Sequence, residues 1–205
     1  MDPDDVRQDW ATRSGKYSPE YYAGLGPNTI SETLVEVIEY YASDSASILE
    51  LGCGSGRHLE TLRKEGYENL TGIDINDDSF EVMAESYPRL SETGTFYTGA
   101  IEDVLTRFDD DAFDVVYSVE TLQHIHPEDT WVFEELARVA SDLLVTAENE
   151  GNGPTRGRED TPVNYVDDEF PLYYRNWKDV FADLGFAQLL IEPTSRDTIR
   201  VFRPV

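Results

Sequence analysis

Cysteine occurs once in this chain, at Cys53, so no intrachain disulfide can contribute to its stability. Lysine is almost as scarce, being confined to Lys16, Lys64 and Lys178. Against 16 Lys and Arg stand 42 Asp and Glu, a formal net charge of −26. No stripe of Lys and Arg is available to replace phosphate counterions, which disfavours nucleic acid as a partner held through a basic surface. No apolar run approaches the roughly 18 residues that cross a bilayer. The opening Met1-Asp2-Pro3-Asp4-Asp5 is acidic where a secretory signal would be basic and then apolar. The expectation is a cytoplasmic protein without a membrane partner. Internal repeats and the lysine-bearing phosphate loop of nucleotide hydrolases are also lacking.

The acids are dispersed through every segment. Self-repulsion of this size destabilises a compact state in dilute buffer, but at about 1 M salt the Debye length falls to about 3 Å and the penalty largely disappears. This pattern reads as adaptation to a high-salt cytoplasm, with an ordinary acidic protein as the alternative.

With 205 residues, 40% apolar and 12% aromatic, the chain suits one globular domain. Residues 1–28 are polar and aromatic, punctuated by Pro19, Gly24, Gly26 and Pro27, and read as a lead-in rather than a second domain. From 29 onward Leu34, Val37, Ile38 and Tyr41 recur at helical spacing. Strands are then expected at 48–51, 70–74, 95–98, 113–118 and 142–147. Helices alternate with them at 57–65, 78–87, 101–107 and 128–140. This alternation requires a parallel sheet with right-handed crossovers. A flexible loop is expected at about 149–165, then a helix at 177–184 and strands at 186–191 and 198–202. The last link is too short for a crossover and permits only antiparallel pairing. The expected fold is therefore a single-domain α/β, Rossmann-like seven-stranded sheet, mostly parallel with an antiparallel C-terminal hairpin strand.

The most informative segment is Ile48-Leu49-Glu50-Leu51-Gly52-Cys53-Gly54-Ser55-Gly56, an apolar run that closes on three glycines at alternate positions. Glycine adopts positive φ without steric cost and lets a ligand approach the backbone closely. Leu59 and Leu62 follow at helical spacing, so the turn joins a strand to a helix, as in nucleotide-binding proteins. A second apolar run, Leu70 to Ile73, ends in Asp74, placed to accept hydrogen bonds from both hydroxyls of an adenosine ribose. Cys53, inside the turn, reads as a small filler rather than a nucleophile.

Four segments taken together, Ile48 to Gly56, Gly72 to Asn76, Gly99 to Asp103 and Phe113 to Ile125, resemble the class I S-adenosylmethionine-dependent methyltransferases, particularly the small-molecule branch. Dinucleotide dehydrogenases share the junction, but their fingerprint needs a glycine at position 57, where Arg57 stands. The terminal hairpin also distinguishes the methyltransferase sheet from the dehydrogenase one. The resemblance implies S-adenosylmethionine as donor and S-adenosylhomocysteine as product. It assigns Glu50, Gly52, Cys53, Gly54 and Gly56 to the turn around the methionine part, Asp74 and Ile75 to the ribose and the adenine edge, Ile101 and Glu102 to the adenine, and Ser118 to the lip after the fourth strand.

Past that strand, Glu120, Gln123 and His124 are expected to project toward the methyl group. His124 is the first candidate for a base or acceptor-positioning group, with Glu120 beside it; a core histidine bonded to the backbone is the alternative. His126 reads as a helix cap and His58 as an exposed helix residue, with reach into the pocket as the alternative. A magnesium site from Glu120, Glu148 and Asn149 is disfavoured, so no metal is expected. Aromatic segments outside the resembling core, with Tyr17, Tyr21 and Tyr22 before it and Tyr174 with Arg175 after it, are expected to close over a small-molecule acceptor, with a secondary core beneath the loops as the alternative reading of these aromatics. The function expected is methyl transfer to a hydroxyl or amine of a small molecule. A donor-binding regulatory or partner protein without transferase activity is one alternative, and a protein or RNA methyltransferase is the other. The oligomeric state is not legible.

Overall fold

A computed structural model describes residues 2–151, 163–167 and 170–205. In chain order it contains α1 (Pro3–Ala11), α2 (Pro19–Leu25), α3 (Thr29–Tyr41), β1 (Ile48–Leu51), α4 (Arg57–Lys64), β2 (Leu70–Asp74), α5 (Asp78–Ser86), α6 (Pro88–Thr93) and β3 (Thr95–Thr98). These are followed by α7 (Ile101–Leu105), β4 (Phe113–Val119), α8 (Val132–Val139), β5 (Ala140–Glu148), β6 (Val163–Val166), β7 (Phe170–Tyr173), α9 (Trp177–Asp183), β8 (Phe186–Pro193) and β9 (Thr198–Pro204).

Seven strands form one sheet in the order β3-β2-β1-β4-β5-β9-β8. The pairs among β1 to β5 are parallel, while β9 runs antiparallel to both β5 and β8. Helices cover both faces, so the central strands β1 and β4 are almost continuously buried rather than alternating. The period of two still sorts them. Ile48, Val115 and Tyr117 join α3 and α4 in one core layer, whereas Leu49, Leu51 and Val116 join α7, α8 and α9 in the other. The expected sheet and its terminal hairpin are thus observed.

Some elements differ from the expectation. The helix expected at 128–140 is a single 3-10 turn, Pro127–Asp129, followed by α8. The proposed flexible loop at 149–165 lies partly outside the described residues, and residues 163–165 belong to β6, which pairs antiparallel with β7. The lead-in contains two helices whose caps were readable: Asp2 accepts from the Asp5 amide before Pro3, and Ser18 accepts from the Tyr21 amide before Pro19.

The strand order reverses between β1 and β4, and at such a switch point the loops leaving the strands diverge and open a crevice. Helix α1 lies across that crevice. The Asn76 amide nitrogen donates to the carbonyls of Trp10 and Arg13, and Arg7 pairs with Asp129 at 2.6 Å. The Trp10 ring packs at 4.5 Å on Phe170 and at 4.6 Å on His124.

Candidate active site

Each glycine of the turn answers a different constraint. All three take positive φ, at +65°, +52° and +83°. A Cβ on Gly52 would lie 2.3 Å from the Thr121 hydroxyl oxygen, and one on Gly56 would lie 2.7 Å from Leu90. At Gly54 it would meet nothing within 4 Å. Gly54 therefore faces open space, and its amide donates to Asp74 Oδ2 at 2.7 Å. The other oxygen of Asp74 accepts from the Asn76 amide and the Ser79 hydroxyl, at 2.9 and 2.8 Å. One carboxylate thus ties the end of β2 to the turn after β1. Burial raises its pKa, and these donors oppose the rise.

The open space is a cleft of about 1090 Å³, counting its mouth, walled by the glycine turn, the ends of β2 and β4, α7 and the two lead-in helices. Glu50 lines it and is buried, and its Oε2 accepts from the Tyr117 hydroxyl at 3.0 Å. Desolvation raises the pKa of Glu50 well above the usual carboxylate range. At the far wall Glu120 takes a left-handed φ of +52° where the chain turns out of β4, and it accepts from Arg196.

His124 lies beside it. Its Nδ1 donates to the Pro171 carbonyl at 2.9 Å, which fixes the tautomer and leaves Nε2 as an acceptor. Burial lowers its pKa to about 4, so the ring is neutral at pH 7. The 120–124 segment owes its shape to Glu148. This buried carboxylate accepts from the Ser118 hydroxyl at 2.7 Å and from the amides of Thr121, Leu122 and Gln123 at 3.1 to 3.2 Å. Desolvation pushes its pKa up to about 7, against the lowering effect of the four donors.

Comparison with known proteins agrees with this geometry. The family described as "Methyltransferase domain" matches residues 48–142. A ubiquinone biosynthesis O-methyltransferase of Coxiella burnetii is 27% identical over 122 residues, covering 59% of this chain and 48% of that protein. The chain thus spans about half the length of this curated relative. Magnesium protoporphyrin IX methyltransferase from Synechocystis, solved with bound S-adenosylhomocysteine, superposes with a TM-score of 0.73 at 15% identity and covers 100% of both chains. A Pyrococcus horikoshii protein superposes with a TM-score of 0.68 at 21% identity, covering 86% of this chain and 90% of that one. Residues 48–142 are thus similar to a methyltransferase domain, and the whole chain shares the fold of solved methyltransferases.

The cleft gathers most of the expected residues: Glu50, Gly52, Cys53, Gly54, Asp74, Ile75, Ile101, Glu102, Glu120, His124, Tyr17 and Tyr22. Five others do not line it. Gly56 serves the turn and its packing on Leu90 and Met83. Ser118 is buried inside β4, which runs one residue further than expected, and bonds to Glu148 instead. Tyr21 is exposed, with its ring edge-on to Tyr17 and Tyr22. The Tyr174 hydroxyl accepts from Asn164 outside the cleft. Arg175 is buried and donates to the carbonyls of Leu122 and Ile125, so it braces the 122–125 turn rather than holding a substrate carboxylate. That burial lowers its pKa to about 10.

His58 is also corrected. It lines the cleft and is 4% exposed, because α3 packs over the face of α4 that carries it. Its Nε2 accepts from Arg57 Nε at 3.2 Å, so Nδ1 bears the proton and donates to the Ser31 hydroxyl at 2.8 Å. Burial lowers its pKa to about 3. His126 caps the 3-10 turn, accepting from the Glu128 amide. Among the described residues no three His, Cys, Asp or Glu side chains come together as a metal-ligand group. The magnesium set weighed from sequence is otherwise engaged: Glu120 with Arg196, Glu148 with its four donors, and Asn149 Oδ1 with the Gly151 amide. Cys53 is a buried filler whose thiol desolvation raises well above its usual pKa.

Reading the sequence alone misses Arg7, Arg57 and Asn76, all of which line the cleft. Asn76 carried a signal, being two residues past the expected ribose carboxylate. Arg7 carried none, since the docking of α1 is a tertiary event. Among the described residues no helix is long and apolar enough to cross a membrane.

Proposed function

We propose that the chain transfers the methyl group of S-adenosylmethionine to a hydroxyl or amine of a small molecule. The observation that carries this reading is the continuity of one cleft from the Gly54–Asp74 bracket to His124 and Glu120. Asp74 would hold the ribose, Ile75 and Ile101 with Glu102 the adenine, and Glu50, Gly52 and Gly54 the methionine part. Glu50, fully enclosed apart from the cleft, suits the donor's ammonium.

The sulfonium donor supplies an activated methyl group that leaves a neutral thioether. The protein's work is to position the acceptor, exclude water and hold the proton the acceptor loses. His124 Nε2, an acceptor in the tautomer fixed by Pro171, orients the acceptor's O–H or N–H. A base with a pKa of about 4 is weak toward a free hydroxyl. It suffices once methylation has made that hydroxyl strongly acidic, which makes orientation the larger part of its role. Helices α1 and α2 form a lid of the same domain, supported by the cleft-lining Val6, Trp10, Tyr17 and Tyr22. The dispersed charge of −26 supports function in a salt-rich cytoplasm.

The test is formation of S-adenosylhomocysteine from labelled donor in molar KCl with a small-metabolite extract. His124→Ala should lower turnover by ~10² or more while donor affinity stays near wild type. Donor binding with no product from any small-molecule fraction would instead indicate a donor-binding protein without transferase activity.

A further inference from the structure

Three arginines line the cleft of a chain that has few cations, and they are held differently. Arg7 pairs with Asp4, Glu102 and Asp129. Arg13 donates to the Lys16 carbonyl and lies 4.4 Å from the centre of the Phe170 ring. Arg57 is 8% exposed, and among the described residues it makes one side-chain hydrogen bond, from Nε to His58, and no ion pair. A neutral imidazole is the partner, so the charge itself is not compensated there. Its guanidinium carbon stands 5.0 Å from the centre of the Tyr22 ring, on the lead-in side of the cleft.

Burial without a counter-charge is costly for a group that cannot shed its proton. Desolvation lowers the pKa of Arg57, opposed more weakly by Tyr22, Glu50, Tyr87 and Tyr21, none of which forms an ion pair with it. Its terminal nitrogens are not fully enclosed, and the residue lines the cleft. The His58 and Ser31 bonds fix the Nε edge, which leaves the two-nitrogen edge oriented and unused. That planar fork matches two oxygens of a carboxylate or phosphate.

We propose that Arg57 is an anion-recognition residue of the cleft, receiving a carboxylate or phosphate of the small molecules bound there. Since it rests on the methyl-transfer reading, the acceptor class it names is an acidic small molecule. The donor's amino-acid end carries the same chemistry, and the two sources are separable. In dilute buffer the −26 charge of the chain repels an acidic ligand at long range, and at high salt, where that repulsion is screened, a desolvated cation inside the site still supplies local attraction.

The experiment is calorimetry on the full chain, wild type against Arg57→Met and Arg57→Lys. The ligands are S-adenosylhomocysteine, 5′-methylthioadenosine, which lacks the amino-acid end, and benzoate or inorganic phosphate added to protein saturated with S-adenosylhomocysteine. If the acceptor supplies the anion, benzoate or phosphate binds the wild type and weakens at least ~tenfold in Arg57→Met, while both nucleosides bind as before. If the donor supplies it, S-adenosylhomocysteine weakens by that factor and 5′-methylthioadenosine does not. Arg57→Lys should recover only part of either loss, because a point charge lacks the fork, and it replaces the methionine variant should that one not fold. Removing an uncompensated buried cation should also raise the melting temperature of the ligand-free protein. Unchanged S-adenosylhomocysteine affinity, together with anion binding that is absent from the wild type or insensitive to Arg57, overturns the proposal. If neither nucleoside binds the wild type, the donor reading fails instead, and anion titration of the empty protein judges Arg57 by itself.

Discussion

Removing the carboxylate of Glu148 should collapse the acceptor wall without substituting any residue that lines the cleft. Three of its four hydrogen bonds, from the Ser118 hydroxyl and the Thr121 and Leu122 amides, converge on Oε1, and the Gln123 amide takes Oε2. Glu148→Gln keeps one carbonyl oxygen for the first three and sets an NH2 against the fourth donor. One unsatisfied buried donor costs about 1–3 kcal/mol, so that variant should lose about 2 kcal/mol. Glu148→Ala orphans all four donors and opens a void. The Ser118 hydroxyl can rotate and relaxation admits some water, which leaves an expected loss of about 3–5 kcal/mol. Urea denaturation at pH 7 would read both values as midpoint shifts at constant slope. Turnover should fall further than S-adenosylhomocysteine affinity, because Glu120 and His124 ride on the capped segment while Gly54 and Asp74 do not. The reasoning is refuted if both variants stay within about 0.5 kcal/mol of wild type, or if alanine proves no worse than glutamine.

Gly54→Ala should weaken S-adenosylhomocysteine binding at least ~tenfold, about 1.4 kcal/mol, because the added methyl enters the open cleft rather than the protein. Calorimetry checks it, and Asp74→Ala should give a loss of similar size by removing the ribose acceptor. The melting temperature should rise with KCl well beyond the ~0.15 M at which surface charges are already screened to about 8 Å, and a flat profile up to molar salt would refute the high-salt reading. His58 is held neutral, with its pKa lowered from 6.5 to about 3. Its stabilising contribution is therefore present above pH 6.5 and lost as the pH falls through 3, an interval worth up to about 5 kcal/mol. The stability gap between wild type and His58→Gln, measured by denaturation across that range, should shrink as the pH drops.

Much of the architecture was legible because it is local. The alternation of apolar strands with amphipathic helices, the short 192–197 link and the three glycines obey periodicities and backbone limits that act within a few residues. Asp74 was readable as well, since the end of β2 must lie beside the turn after β1 once the sheet is parallel. Glycine identity marked the turn without saying what each position faces. That Gly52 is filled by Thr121, Gly56 by Leu90 and Gly54 by nothing emerges only when distant segments pack.

The composition and local pattern by themselves determined the sheet, its parallel order with a terminal hairpin, and the glycine turn at its switch point. Tertiary structure alone decided which charges are buried and what they meet. Glu148 reaches back 27 residues to the Thr121 amide, Arg175 reaches back 53 to the Leu122 carbonyl, and α3 covers His58. The physical reason is that desolvation and hydrogen-bond partnership depend on the whole surrounding shell, whereas sequence spacing reports only the neighbours along one element.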